Sequence, residues 1–238
     1  MIVLCTGMPR SASTWSFNVC VRLISHSHAD ARLYTGFDDD LMASMQDLDK
    51  EYDHMVLKSH RLDRLGRNLV MLGAAKAVYT HRDPEDAIAS YMVMFERSFD
   101  EALTAILDSV ALFNFHSRCG NCALISYESI VRESFGAVAR VQTYLGLENS
   151  PDVVRTIAAE TSMAAMKDLA ARVGEDSNSL VCLGNLTYDR HTLLHRNHIR
   201  NGGIGYGRTL LSGEQRAKVE SVIGTALESH STCNFPDG

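Results

Sequence analysis

Short apolar runs alternate with longer amphipathic stretches along most of the chain. Ile2-Val-Leu-Cys-Thr6 is an apolar block stopped by Gly7, the pattern of a strand buried within a parallel sheet. Helical periodicity follows from about Thr14 to His26. Met55-Val-Leu-Lys58 and Ala77-Val-Tyr-Thr80 repeat the strand pattern. Asp83-Pro84 predicts an N-cap with proline at the first helical position, opening a helix through about Phe95. Phe99, Leu103, Ile106, Val110 and Phe113 recur at the spacing of an amphipathic helix. Ala123-Leu-Ile-Ser-Tyr127 predicts another strand, followed by helix to about Leu145. Pro151 to Ala171 reads as helix in two pieces, and Ser212-Gly-Glu-Gln215 as a capping box opening a last helix through about Leu227. Strands separated by helices imply an α/β fold, a central parallel sheet flanked by helices and joined by right-handed crossovers.

No repeat, low-complexity tract or linker divides this pattern, so residues 1–238 read as one domain. Two stretches lack a period, Gly174 to Asn185 and Asn197 to Gly207. The second carries Gly202, Gly203, Gly205 and Gly207. Loops of that length in a compact domain serve as binding elements or lids more often than as plain connectors.

Composition narrows the partners. With 238 residues, 45% of them hydrophobic and 22% charged, the chain has the make-up of a soluble globular protein. A net charge of −6 provides no general attraction for nucleic acid or an anionic membrane, and neither is expected as a partner. An anionic ligand would need a local cationic pocket. The apolar opening Met1 to Cys5 is too short for a signal segment, and no later run approaches the ~20 apolar residues of a membrane span. A cytoplasmic protein is the expectation, with oligomeric state left open. The six cysteines are scattered, as reduced thiols would be. Cys119-Gly-Asn-Cys122 has no second pair to make a metal site and reads as a helix end turning through Gly120-Asn121 into a strand.

The candidate chemistry begins at Gly7-Met-Pro-Arg-Ser-Ala-Ser-Thr-Trp15, between the first strand and the first helix. A helix N-terminus in that position favours an anion. Against the phosphate-binding pattern GxxxxGK[ST] the segment matches at Gly7 and Thr14, but Ala12 replaces the second glycine and Ser13 the lysine. That lysine normally reaches the β- and γ-phosphates, so its loss argues against ATP or GTP as phosphoryl donor. Arg10 is the cation here, and Trp15 offers a stacking face.

At these residues the chain resembles the sulfotransferases that use 3′-phosphoadenosine-5′-phosphosulfate (PAPS), whose first signature is Pro-Lys-Ser-Gly-Thr-Thr-Trp, against Pro9-Arg-Ser-Ala-Ser-Thr-Trp15 here. The resemblance continues in order. Lys58-Ser-His60 is similar to Lys-Thr-His, which carries the catalytic base. Arg82 and Ser90 look like the pair that holds the nucleotide's 3′-phosphate. Tyr127-Glu128 resembles the segment whose tyrosine meets adenine. Thr161-Ser-Met-Ala-Ala-Met-Lys167 is similar to Thr-Ser-Phe-x-x-Met-Lys on the adenine side. Arg200-Asn-Gly-Gly-Ile-Gly205 resembles Arg-Lys-Gly-x-x-Gly, which closes over the 3′-phosphate. The resemblance implies a sulfotransferase fold of the phosphate-loop nucleotide-binding type. It also implies PAPS as co-substrate, the 3′-phosphoadenosine-5′-phosphate (PAP) product, and a small-molecule acceptor. The donor site it implies comprises Arg10, Ser11, Ala12, Ser13, Thr14, Trp15, Arg82, Ser90, Tyr127, Thr161, Met163, Arg200, Asn201 and Gly202; the catalytic set is His60, Lys58 and Arg10.

This sequence also departs from the family pattern. Arg10 for lysine permits bidentate contact with phosphate. Ala12 for glycine bears on how closely the backbone can approach it. Met163 replaces an aromatic, Asn201 a lysine, and Gly207 stands where tryptophan is usual.

The residues also make chemical sense without the family. An alcohol is a poor nucleophile at neutral pH and needs a base within hydrogen-bond reach, which a histidine just past a strand end can supply. Lys58, two residues before His60, falls on the same strand face. With Arg10 it can stabilise charge on the bridging oxygen as the S–O bond breaks. The transferred SO₃-like group carries less charge than a phosphoryl group, so no metal is demanded. Asp38-Asp-Asp40 reads as a solvated loop, His195 and His198 as candidates for acceptor or phosphate contact, and Met92 and Met94 as candidate acceptor-pocket residues. The alternatives are a nucleotide or small-molecule kinase, which would require ATP and magnesium, and a non-catalytic nucleotide-binding module, in which His60 and Lys58 would be dispensable.

Overall fold

The computed structural model describes residues 1–37, 51–174, 179–183, 186–196, 199 and 203–229. Strands β1 (Ile2–Gly7), β2 (Leu33–Phe37), β3 (His54–Lys58), β4 (Ala75–His81) and β5 (Cys122–Ser126) form one sheet in the order β2-β3-β1-β4-β5. Every pairing in it is parallel, with Cys5 opposite Lys58 on one side of β1 and Gly7 opposite Thr80 on the other. β1 is central because its residues are apolar on both faces. Val3 and Cys5 pack into one core, Leu4 into the other, and each of the three is at most 3% exposed.

Helices α1 (Ser13–Ser27), α6 (Ser134–Leu145) and α7 (Pro151–Glu160) cover the first face with Phe17, Leu23, Val138, Val141 and Ile157. Helices α2 (Arg64–Met71), α3 (Pro84–Phe95), α4 (Phe99–Cys119) and α10 (Gly213–Ser229) cover the second with Val70, Ile88, Ile106, Leu112 and Ile223. The short α5 (Tyr127–Arg132), α8 (Met163–Ala171) and α9 (Tyr206–Leu210), with the antiparallel pair β6 (Leu180–Leu183) and β7 (Leu186–Asp189), complete the described elements.

Several terminal signals read from the sequence operate as expected. The Asp83 side chain accepts from the Asp86 N–H at 3.0 Å ahead of Pro84. Ser212 and Gln215 exchange bonds of 2.9 and 3.2 Å. The Cys119–Cys122 segment is the predicted helix end: α4 stops at Cys119, Gly120 takes a left-handed φ of 64°, and β5 begins at Cys122. Both cysteines are free thiols. Two boundaries differ from expectation. Tyr127 opens α5 rather than ending β5, because Ser126 caps the new helix through the Ser129 N–H. The helix expected to run on to Leu145 is broken at Glu133, whose φ of −144° is not helical.

Candidate active site

From β1 the chain passes to β2 and β3 on one side and then crosses to β4 on the other side of β1, so a crevice opens beyond the carboxyl ends of these strands, where open α/β sheets place their ligands. A cavity of about 1170 Å³ lies there. Its walls draw on the β1–α1 loop, the residues just after β3 and β4, the first residue of α5, and the Gly203–Tyr206 segment.

The β1–α1 loop is held in an uncommon shape. Arg10 and Ala12 have φ of 67° and 73°, the left-handed region that non-glycine residues avoid at a cost of roughly 1–2 kcal/mol each. Ala12 therefore adopts the backbone that a glycine would take more easily. Ser11, between them, is fully buried. Its hydroxyl lies 2.6 Å from the Met8 carbonyl, 2.8 Å from the Thr80 carbonyl and 2.9 Å from the Thr80 hydroxyl, which moors the loop to β4. Gly7 permits this approach, since a Cβ there would stand 2.2 Å from the Thr80 hydroxyl. Strain of this kind persists only where the surroundings over-determine it, and it gathers at functional sites.

Arg10 donates through Nε to the Ser90 hydroxyl at 3.1 Å, joining the loop to α3. Burial and then the nearby Arg82 charge lower its guanidinium from 12.5 to about 10, with Tyr127 acting the other way. Arg10 is thus still a cation at neutral pH, held in a desolvated place beside a second guanidinium. Arg82, 7% exposed, lies over the Tyr127 ring at 4.1 Å and donates to the Gly203 carbonyl. It faces Asp86 at 3.4 Å.

On the other side of β1, Lys58 is 3% exposed and its ammonium sits 5.2 Å from the centre of the Phe37 ring. His60 meets the same ring edge-on at 6.0 Å. The strand ends at Lys58, and the segment beyond it is held by the Ser59 N–H donating to the Cys5 carbonyl at 3.1 Å. His195 also lines the cavity, 6% exposed and edge-on to Tyr188 at 5.3 Å. Burial, then the charges of Arg10 and Lys58, hold its imidazole down to about 4, so it is neutral at pH 7.

Eleven of the residues singled out from the sequence come together on this wall: Arg10, Ala12, Ser13, Thr14, Trp15, Lys58, His60, Arg82, Ser90, Tyr127 and Met163. Two do not line it. Ser11 is occupied in mooring the loop, and the Thr161 hydroxyl donates to the Ile157 carbonyl at 2.7 Å at the end of α7. The Tyr127 ring expected to meet adenine carries Arg82 on one face. Met94 lines the cavity, whereas Met92 packs into the α3–α4 core. Arg200, Asn201, Gly202, His198 and Asp38 to Asp40 lie outside the described residues.

Sequence reasoning missed Phe37 and Asp86. Phe37 ends a strand with no apolar alternation to announce it. Asp86 was read only as part of a helix start, yet it is 1% exposed and accepts from the Gly205 and Gly207 N–H groups, each at 2.7 Å.

The profile of the sulfotransferase domain matches residues 4–229, and the chain belongs to that family. Solved structures with the same fold include mouse sulfotransferase SULT7A1 complexed with PAP, at 17% identity and a TM-score of 0.69, covering 98% of this chain and 88% of that one. A retinol dehydratase in complex with androsterone and the inactive cofactor PAP aligns at 16% identity and a TM-score of 0.69, covering 99% and 82%. An Arabidopsis thaliana putative steroid sulphotransferase aligns at 14% identity and a TM-score of 0.54, covering 98% and 78%. No curated protein sequence matches the chain.

Proposed function

We propose that this enzyme transfers the sulfuryl group of PAPS to a hydroxyl, or an amine, of a small-molecule acceptor and releases PAP. One observation carries the donor assignment. Thr14 Oγ1, Trp15 Nε1 and Arg82 Nε are buried polar atoms without a hydrogen-bond partner among the described residues, and all three residues line the same cavity. Buried polar groups in native structures are nearly always paired, so three orphans on one wall suit a ligand rich in oxygen acceptors. The buried guanidinium of Arg82 and the half-buried one of Arg10 beside them suit an anion with two phosphate-bearing ends.

In this reading the 5′-phosphosulfate lies against the loop from Arg10 to Trp15, and the 3′-phosphate meets Arg82 and Ser90, joined by Arg200, Asn201 and Gly202. Tyr127, Thr161 and Met163 are assigned to the adenine side, Thr161 through the turn it stabilises rather than by contact. His60 takes the acceptor's proton as the acceptor oxygen bonds to sulfur. Lys58 and Arg10 stabilise the charge left on the 5′-phosphate as its bond to sulfur breaks. No metal is needed for this balance.

The acceptor end is lined by Phe37, Tyr91, Met94, Phe95 and Leu112, an apolar and aromatic wall suited to a small organic molecule. A cytoplasmic setting belongs to the same proposal. It is consistent with free thiols at the described cysteines and with the absence of a membrane-spanning helix among the described residues.

Calorimetry with PAP and AMP tests the donor reading. Each charge-assisted hydrogen bond contributes about 1.5–3 kcal/mol, so the 3′-phosphate should improve affinity at least about tenfold. Equal affinities would overturn it.

A further inference from the structure

Asp86 has no place in the chemistry above, yet its carboxylate is more fully engaged than that of a helix-start residue needs to be. It sits on the first turn of α3, 1% exposed. One oxygen accepts from the Gly207 N–H at 2.7 Å; the other accepts from the Gly205 N–H at 2.7 Å and faces Arg82 Nη2 at 3.4 Å. Arg82 in turn donates to the Gly203 carbonyl. Three main-chain groups of the 203–207 segment are therefore fixed by two side chains four residues apart. Gly207 makes the approach possible, because a Cβ there would stand 2.4 Å from the Glu85 main chain. A residue larger than glycine could not hold this approach.

We infer that Asp86 is a positioning residue for the donor: it latches the 203–207 segment to α3, so that one wall of the nucleotide cavity is already in place before the donor arrives. Gly203, Ile204, Gly205 and Tyr206 line the cavity, and their position is set through Asp86 rather than by the ligand. The glycines then serve a tight seat and not a loose flap. The inference rests on the donor reading for its kinetic consequence but not for its geometry.

The geometry weighs towards a latch over a counter-ion. The two bonds to backbone N–H groups are at 2.7 Å, whereas the guanidinium stands off at 3.4 Å. The two roles predict opposite signs. Removing a mere counter-ion would leave Arg82 more available to an anion and tighten nucleotide binding. Removing a latch would loosen the wall, and ordering it again would oppose binding.

The experiment measures PAPS kinetics and PAP binding for Asp86→Asn and Asp86→Glu. Asn keeps one acceptor and loses the charge; Glu keeps the charge and misplaces it. A latch predicts that both raise KM for PAPS about tenfold, with the loss carried by KM more than by kcat. Tighter binding by Asp86→Asn, or unaltered binding by Asp86→Glu, overturns the latch. Hydrogen exchange on the unmodified protein covers the case in which the variants do not fold. The Gly205 and Gly207 amides should be protected without nucleotide and gain little with PAP. Fast exchange of both in the free protein overturns the proposal. If the unmodified protein does not prefer PAP over AMP, the donor reading fails while the exchange result still decides the latch.

Discussion

In the proposed reaction His60 acts as the base, and its position just beyond β3 suits that role without tying it to the donor. It stands on the Phe37 side of the cavity, across β1 from Arg82 and Ser90. His60→Ala should therefore lower kcat by roughly 10²–10⁴, the usual contribution of a positioned general base, and leave PAP affinity nearly unchanged. Near-normal turnover at saturating acceptor would remove His60 from the mechanism. Two other histidines shape the response of the fold to acid. Burial, then Arg67, lower His116 to about 4, and its Nε2 lies 3.2 Å from the Thr6 hydroxyl in the core. His195 is held equally low. An unfolded histidine titrates near 6.5. Between about 4 and 6.5 the unfolded chain thus binds more protons than the folded one, and stability rises with pH across that window. The stabilisation is complete above about 6.5 and is lost as pH falls towards 4. His116 alone should remove about 2 kcal/mol between pH 7 and pH 5. Urea unfolding at the two pH values measures this, and His116→Gln should flatten the dependence. Equal stability at pH 7 and pH 5 would show that these imidazoles are not held neutral by the fold.

Among the elements, legibility followed the strength of the local signal. β1, β3, β4 and β5 were readable because their buried residues form unbroken apolar blocks, and α3 and α10 because their caps carry a distinct chemistry. β2 was not readable. Its sequence Leu-Tyr-Thr-Gly-Phe neither alternates nor forms an apolar block, and all five residues are half-buried at the sheet edge. It becomes a strand only by pairing with β3, from Leu33 opposite His54 to Phe37 opposite Lys58, a tertiary effect that local propensity does not encode. The cost was functional, since β2 delivers the ring against which Lys58 and His60 stand. α2 was missed although Asp63 caps it through the Gly66 N–H at 2.6 Å, because its apolar stripe is short and its apolar last residue, Met71, is exposed. Among the described residues β6 and β7 pair only with each other, so four residues on each strand had to stand out without a larger sheet to support them. The residues assigned to the donor were legible for a different reason. They fall in short ordered motifs, whereas Asp86 and Phe37 act through contacts made only when distant segments meet.

At the scale of the whole molecule, a chain of net charge −6 must concentrate its cations to bind the highly anionic nucleotide proposed for it. Arg10, Lys58 and Arg82 are gathered at the carboxyl edge of the sheet, each contributed by a different strand end. That concentration costs folding energy, because burying like charges together is unfavourable until an anion arrives. A matching ligand should therefore raise stability by ordinary mass action. PAP at about one hundred times its Kd should add ~2.7 kcal/mol. For a chain of this size each kcal/mol moves Tm by roughly 2–4 °C, so a rise of about 5–11 °C is expected in a thermal-shift measurement. ATP with magnesium at the same concentration should do much less. The loop lacks the lysine that reaches β- and γ-phosphates, and the partner proposed for Arg82 and Ser90 is a 3′-phosphate, which ATP does not carry. A larger rise with ATP and magnesium than with PAP would transfer the site to a phosphoryl donor, and the two arginines would then be reading a polyphosphate chain instead of the two ends of one nucleotide.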